Sequence, residues 1–245
     1  MTLPLRAILF DKDGTLVDFA VTWNGATSVA ITELSGGDEE LAIRLANVVH
    51  FDLPTASLLR SSPFIAGTVI DLVPLWAAEV GVAADERFYG RVRELFHRGA
   101  LDFVVPIGDP VALLTALRAQ DYLLGIVTND SEASARAQSE KLGMEGLFDA
   151  ILGHDSGHGH KPAPDPILEF LRRFGLRPGE AAMVGDTMHD LDSARAAGVL
   201  SIGVASGYLS AEDLAPHADH VIGSIMELAV LLDVIHGVQA PMPSR

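Results

Sequence analysis

Seven side chains in four short clusters carry the chemistry this sequence can offer. Asp11 and Asp13 stand in Asp11-Lys12-Asp13-Gly14-Thr15, directly after the apolar run Ala7–Phe10. Two carboxylates at one strand end can divide a reaction between them. One attacks phosphorus as a nucleophile. The other moves a proton to the leaving oxygen and later takes one from water. Gly14 lets the backbone turn tightly beneath a phosphate. Taken by itself, the run is equally well a turn, because Asp and Gly are common turn formers.

The other clusters also follow apolar runs or loops. Thr128 and Asn129 follow Leu123–Val127, where a hydroxyl, an amide and backbone N–H groups can bind phosphate oxygens at a helix N-terminus. Both residue types are also ordinary helix N-caps. Lys161 is one of three lysines, with Lys12 and Lys141, and it precedes Pro162-Ala163-Pro164. It can neutralise a phosphate and a carboxylate nucleophile, although a lone lysine is more often a solvated surface residue. Asp186 and Asp190 lie in Gly185-Asp186-Thr187-Met188-His189-Asp190. Hard oxygen donors of this kind suit Mg²⁺, which uses one or two carboxylates with substrate phosphate and water. An isolated Asp pair there also reads as helix-start capping.

The elements that must position these groups are short apolar runs alternating with helical patterns. Runs at Ala7–Phe10, Leu123–Val127, Ala150–Leu152, Ala181–Val184 and Leu200–Val204 are separated by helical stretches at 109–119, 132–142, 164–174 and 190–197. Continuous apolar strands between helices predict a parallel sheet covered on both faces. In such a sheet ligands bind at the carboxyl ends of the strands, where the strand order reverses. The interval from Asp18 to Val105 breaks the rhythm and is mostly helical, at 27–32, 39–49, 69–80 and 85–96, with no strong strand. The reading is therefore an α/β fold: a Rossmann-like parallel-sheet core with helices on both faces, residues 1–17 and 106–245, plus an inserted helical cap, residues 18–105. A further amphipathic helix is expected at the C-terminal end around Met226–Leu232, and the tail 239–245 is expected to fray.

Composition narrows the classes. With 245 residues the chain can bury a sizeable core. Its formal net charge of −16 and the lack of any basic run argue against a non-specific nucleic-acid binder. No cysteine is present, which excludes disulfides, thiolate metal sites and cysteine nucleophiles. The N-terminal apolar run is too short for a signal peptide, and no stretch reaches the ~20 apolar residues that span a bilayer. The expectation is a cytoplasmic protein acting on a small molecule, with no nucleic acid and no membrane partner.

Together and in this order, the four clusters resemble the motifs of the haloacid dehalogenase-like hydrolase superfamily. The match is Asp11-x-Asp13-Gly14-Thr15-Leu16-Val17-Asp18, Thr128-Asn129, Lys161-Pro162-x-Pro164-Asp165-Pro166 and Gly185-Asp186-x-x-x-Asp190, continued by Ala194-x-x-Ala197-Gly198. Ser206-Gly207-Tyr208 and Ala218–Ile222 are similar to the final loops and strands of its phosphoglycolate phosphatase-like branch. The resemblance implies a Mg²⁺-dependent phosphatase that cleaves a small phosphomonoester, phosphoglycolate in first place, through an aspartyl-phosphate. It implies Asp11 as nucleophile, Asp13 as general acid/base with its backbone carbonyl on the metal, and Thr128 and Lys161 as phosphate holders. Asp186 would ligate Mg²⁺, with Asp190 a further ligand or an orienter of bound water, and Gly14 and Asn129 would add phosphate contacts. Lys12 departs from the pattern, since many members have Leu there; it reads as a local variation whose side chain points away from the two aspartates.

Other chemistries of the superfamily leave different marks. Dehalogenases generally lack the second aspartate, so Asp13 favours phosphoryl transfer. The lack of any lysine in 18–105 counts strongly against a Schiff-base lysine in the cap. A sugar-phosphate mutase on the same core stays open, with Arg44, Arg60, Arg87, Arg91, Arg93 and Arg98 available in the cap; so does a non-catalytic binding role. Phe19, Trp23 and Asn24 are candidates for the site entrance, and 60–68 for a cap loop, where Arg60 can meet a substrate carboxylate or form a surface ion pair. His154, His158 and His160 have a spacing that Zn²⁺ can use, but read better as a loop near the site mouth.

Overall fold

A computed structural model describes residues 4–65 and 68–237. The tail 239–245 and part of the loop 60–68 fall outside the described residues. The chain begins with strand β1 (Ala7–Phe10), then runs through helices α1 (Phe19–Ser35) and α2 (Glu39–Val48), a small antiparallel pair β2 (Phe51–Asp52) and β3 (Ser57–Leu58), and helices α3 (Val69–Val80) and α4 (Glu86–Phe103). It continues as α5 (Pro110–Arg118), β4 (Leu123–Val127), α6 (Glu132–Lys141), β5 (Ala150–Leu152), α7 (Asp165–Phe174), β6 (Ala181–Gly185), α8 (Met188–Ala197), β7 (Leu200–Val204), α9 (Ala211–Leu214), β8 (His220–Ile222) and α10 (Leu228–Ile235).

Six strands form one parallel sheet in the order β5-β4-β1-β6-β7-β8. The order reverses at β1, which pairs with β4 on one edge and β6 on the other. Alternation along β1 explains why its run is apolar throughout. Ile8 and Phe10 join a core with Leu114, Ile126, Val184 and Ile202, whereas Ala7 and Leu9 join one with Ile167, Phe170 and Met183 on the opposite face. Both faces are therefore covered, as a parallel sheet requires.

Residues 19–100 build a separate apolar cluster around Trp23, Leu45, Phe64, Trp76 and Phe96. Asp18 caps α1 by accepting from the Val21 N–H at 3.0 Å. The helix is longer than the sequence suggests, because its Val, Thr, Asn and Gly content hides it. Glycines let α1 and α4 approach closely: a Cβ on Gly99 would sit 2.7 Å from the Ala26 Cα, and one on Gly25 would meet the Phe103 ring at 2.3 Å. The chain leaves and re-enters the sheet region side by side, with Asp18 N donating to Val105 O at 3.0 Å and Ile107 N to Leu16 O at 2.9 Å. Among the described residues no helix is long and apolar enough to cross a membrane.

Candidate active site

The reversal of strand order brings the ends of β1, β4 and β6 together, and with them the four sequence clusters. Asp11 follows β1, Thr128 follows β4 and Asp186 follows β6; Lys161 arrives on the loop after β5, and Asp190 sits in the first turn of α8. All five are buried. The Lys161 ammonium lies 2.8 Å from Asp11 Oδ1 and 2.6 Å from Asp190 Oδ1. Asn129 fixes that lysine from behind: its Nδ2 donates to Lys161 O and its Oδ1 accepts from Lys161 N, both at 3.0 Å. A phosphate contact from Asn129 would therefore fall to its backbone, while its side chain holds the lysine loop. Thr128 Oγ1 accepts from the Asp130 N–H at 3.1 Å.

Carboxylate oxygens of Asp11, Asp186 and Asp190 lie within 4.8 Å of one another. The backbone crowds Asp186 on two sides: a Cβ on Gly14, which has φ +81°, would lie 2.2 Å from Asp186 Oδ2, and one on Gly207 would lie 1.8 Å from it. Thr15 Oγ1 donates to Asp186 Oδ1 at 3.3 Å, and Ser206 Oγ ties to the Gly14 carbonyl at 2.7 Å. Gly14 thus serves this approach as well as the turn. Asp190 also caps α8, its Oδ2 accepting from the Thr187 N–H and hydroxyl at 2.9 and 2.7 Å. Both capping and site geometry are present, so the two sequence-level readings of Asp190 are not alternatives.

Burial pushes Asp11 up to about 7, although Lys161 pulls it down. Burial, followed by the Asp11 and Asp190 charges, holds Asp186 well above the usual carboxylate range. For Lys161, burial disfavours the ammonium, but Asp11 and Asp190 outweigh it and raise the group. A cluster of three buried carboxylates against one ammonium holds excess negative charge. An all-oxygen donor set of this kind fits a hard divalent cation.

The structure corrects the reading of Lys12. Its side chain does not point away from the aspartates: it is completely buried, with Nζ 2.7 Å from Asp13. The alternation that predicted otherwise holds only inside a strand, and β1 ends at Phe10. Asp13 itself stands apart from the metal-ready trio. Burial raises it while Lys12 lowers it, and it accepts from Trp23 Nε1 at 2.7 Å. A metal contact from Asp13 would therefore come from its backbone carbonyl.

A cavity of about 470 Å³ lies over these groups, within the range that holds small-molecule ligands. Asp11, Asp13, Thr128 and Lys161 form its floor, and Phe64, Val69, Phe96 and His97 are among the residues that form its far side. Of the proposed entrance residues, Phe19 and Trp23 line it. Asn24 instead accepts from the Leu58 N–H at 2.9 Å. In the loop 60–68, Phe64, Ile65 and Thr68 line the cavity, whereas Arg60 is exposed away from it. Of the six cap arginines only Arg93 lines it; Arg44 pairs with Glu79 and Arg98 with Glu33. His154 also lines it, but His158 lies 3.3 Å from Arg173, and among the described residues the three loop histidines do not gather into a metal-ready group. Sequence reasoning missed Gly207 as a wall of the site and the partners of Lys12; nothing local to either marks a contact made so far along the chain.

Comparison with known proteins supplies a family. A chain from Chromobacterium violaceum named phosphoglycolate phosphatase is 32% identical over 93% of this chain and 96% of its own length. One of the same name from Escherichia coli is 30% identical over 95% and 94%. A haloacid dehalogenase phosphatase structure from Thermococcus onnurineus shares the fold, with a TM-score of 0.64 at 23% identity over 93% of this chain and 98% of that one. The model of the haloacid dehalogenase-like hydrolase family matches residues 8–204. That span takes in all four clusters, and the chain belongs to this hydrolase family.

Proposed function

We propose that the protein is a Mg²⁺-dependent phosphatase of a small organic phosphomonoester, with Asp11 as nucleophile and Asp13 as general acid/base. The observation that carries this reading is the pairing on one cavity floor of a buried carboxylate held by a lysine, Asp11 with Lys161 at 2.8 Å, with a second carboxylate, Asp13. Asp11 attacks phosphorus, the ester oxygen leaves with the bonding pair, and Asp13 gives it a proton. Asp13 then takes a proton from the water that cleaves the aspartyl-phosphate. Lys161 and Thr128 hold the phosphate oxygens, with Gly14 and the Asn129 backbone beside them. Asp11, Asp186, Asp190 and the Asp13 carbonyl would hold Mg²⁺, which neutralises phosphate charge and reduces its repulsion with the nucleophile.

Substrate access is assigned to residues 18–105 acting as a cap over a core of residues 1–17 and 106–245, with the paired segments at Asp18 and Val105 as the connection. The relatives' name makes phosphoglycolate the first ester to try. A mutase must hold a second phosphate, and five of the six cap arginines stand off the cavity, which favours hydrolysis. A disulfide-free chain of this kind suits the cytoplasm. The test is phosphate release from a panel of phosphomonoesters with and without Mg²⁺, for wild type and Asp11→Asn. The reading expects Mg²⁺-dependent release that the variant lacks while keeping its fold. Normal turnover by Asp11→Asn, or no release from any ester by metal-loaded wild type, would overturn it.

A further inference from the structure

Lys12 is the one charged residue of the first cluster to which the proposed chemistry gives no task. A completely buried ammonium is strongly unfavourable unless every donor is met. This one has three N–H donors and three partners: Asp13 at 2.7 Å, Gln138 Oε1 at 2.9 Å and Asp130 Oδ2 at 3.2 Å. It also lies 5.4 Å from the centroid of the Trp23 ring. Trp23 is 4% exposed and comes from α1; its Nε1 donates at 2.7 Å to Asp13 Oδ1, the same oxygen that accepts from Lys12. Lys12, Asp13 and Trp23 thus form a closed triangle. The Asp13 side chain keeps 12% of its surface open, and Asp13 lines the cavity.

Pairing with Asp130 alone would not require this arrangement. Asp130 already accepts from the Ser131 N–H at 2.7 Å and from Gln138 Nε2 at 3.2 Å. Asp13, by contrast, has two donors at 2.7 Å, one from beside β1 and one from α1.

We propose that Lys12 and Trp23 are positioning residues for Asp13, two donors from separate elements that converge on its carboxylate and fix it so that its open edge faces the leaving oxygen of a bound phosphomonoester. The inference rests on the reading of Asp13 as proton donor. In that step the P–O ester bond breaks as the Asp11–phosphorus bond forms, the ester oxygen keeps the electron pair, and Asp13 supplies the proton that makes it an alcohol. An alkoxide needs that proton, whereas p-nitrophenolate departs without it. Loosening Asp13 therefore harms alkyl esters selectively. The parameter to read is kcat/KM, which covers the steps through leaving-group departure and none after it.

The experiment compares wild type, Trp23→Phe and Lys12→Met/Asp130→Asn on glycerol phosphate and p-nitrophenyl phosphate. Trp23→Phe removes the N–H and keeps a ring against Phe64 and Phe96. The double variant removes the ammonium without leaving Asp130 charged and unpaired. General acid catalysis contributes roughly 10²–10⁴-fold, so partial loss of alignment should lower kcat/KM for glycerol phosphate by at least about tenfold and for p-nitrophenyl phosphate by less than about threefold. Equal losses on both esters, or none, would overturn the proposal. If the double variant fails to fold by circular dichroism, Trp23→Phe decides the outcome alone. Where wild type ignores glycerol phosphate, the alkyl ester of the panel that it does hydrolyse takes its place; wild type that releases phosphate from no ester at all overturns the phosphatase reading and this inference with it, which is distinct from equal losses in an active enzyme.

Discussion

Lys161→Met tests the charge balance of the site directly. The substitution keeps an unbranched side chain of similar length and removes the charge. In the native protein that ammonium is 3% exposed and lies 2.8 Å from Asp11 and 2.6 Å from Asp190. Removing one partner of a buried ion pair costs about 3–5 kcal/mol. Here two carboxylates lose the same cation, which places the expected loss near the upper end, about 5 kcal/mol. For chains of this size each kcal/mol lowers Tm by about 2–4 °C, so metal-free Lys161→Met should melt about 10–20 °C below wild type. The deficit also depends on pH, with a definite sign. Asp11 is already raised to about 7, and Lys161 is what pulls it down. Without the lysine it rises further, so above pH 7 the folded variant binds a proton that the folded wild type has released. The unfolded chains are alike, so the variant loses stability faster as pH rises through and beyond 7. Calorimetry in chelator at pH 6 and pH 9 should show the larger deficit at pH 9. A Tm within about 3 °C of wild type at both pH values, or a deficit that shrinks as pH rises, would refute the reasoning.

Two glycines make separate predictions. A Cβ on Gly207 would lie 1.8 Å from Asp186 Oδ2, so Gly207→Ala must displace that carboxylate. Disturbing the support of a metal ligand typically costs 10–100-fold in affinity, so the Mg²⁺ concentration that half-activates phosphate release should rise by at least about tenfold; an unchanged midpoint would count against Asp186 as a ligand. Gly90 lines the cavity from inside α4, and a Cβ there meets nothing within 4 Å. Gly90→Leu should stabilise the helix by up to about 1 kcal/mol and raise KM for bulky aryl phosphates more than for a two-carbon ester. Unchanged KM for every ester would show that this wall does not meet substrate.

The sheet was legible because buried parallel strands read as nearly continuous apolar runs, with Ser201 in β7 the polar exception, so β1, β4, β5 and β7 coincide with the runs seen in the sequence. The site was legible because each polar cluster stops such a run. The α1 and α4 helices were read too short for the opposite reason. Val21, Thr22, Gly25 and Thr27 are weak helix formers, and α1 is held by packing that Gly25 and Gly99 permit across seventy residues of sequence. Lys12 was misread because its partners Asp130 and Gln138 come from the far side of the inserted helices and leave no mark beside it. Asn24 was misassigned because a polar residue following a motif looks like a site residue, whereas it supports β3.

The acidity of the chain and the anionic character of the proposed substrate are reconciled inside the site. At physiological salt, exposed charges are screened beyond about 8 Å, so the net charge of −16 decides little at the cavity floor. What decides there is local: Asp11, Asp13, Asp130, Asp186 and Asp190 stand against Lys12 and Lys161. A phosphate entering that set would add to an existing excess of negative charge, where burial first, and the neighbouring carboxylates after it, already raise Asp11 and Asp186. Protons can remove the excess, but a proton on Asp11 blocks the nucleophile. The Asp11, Asp186 and Asp190 oxygens would hold a divalent cation, which would offset that excess and leave Asp11 able to attack. In the proposed reaction, the metal requirement therefore follows from the charge count of the site itself, and Mg²⁺ binding should release protons to solvent near pH 7.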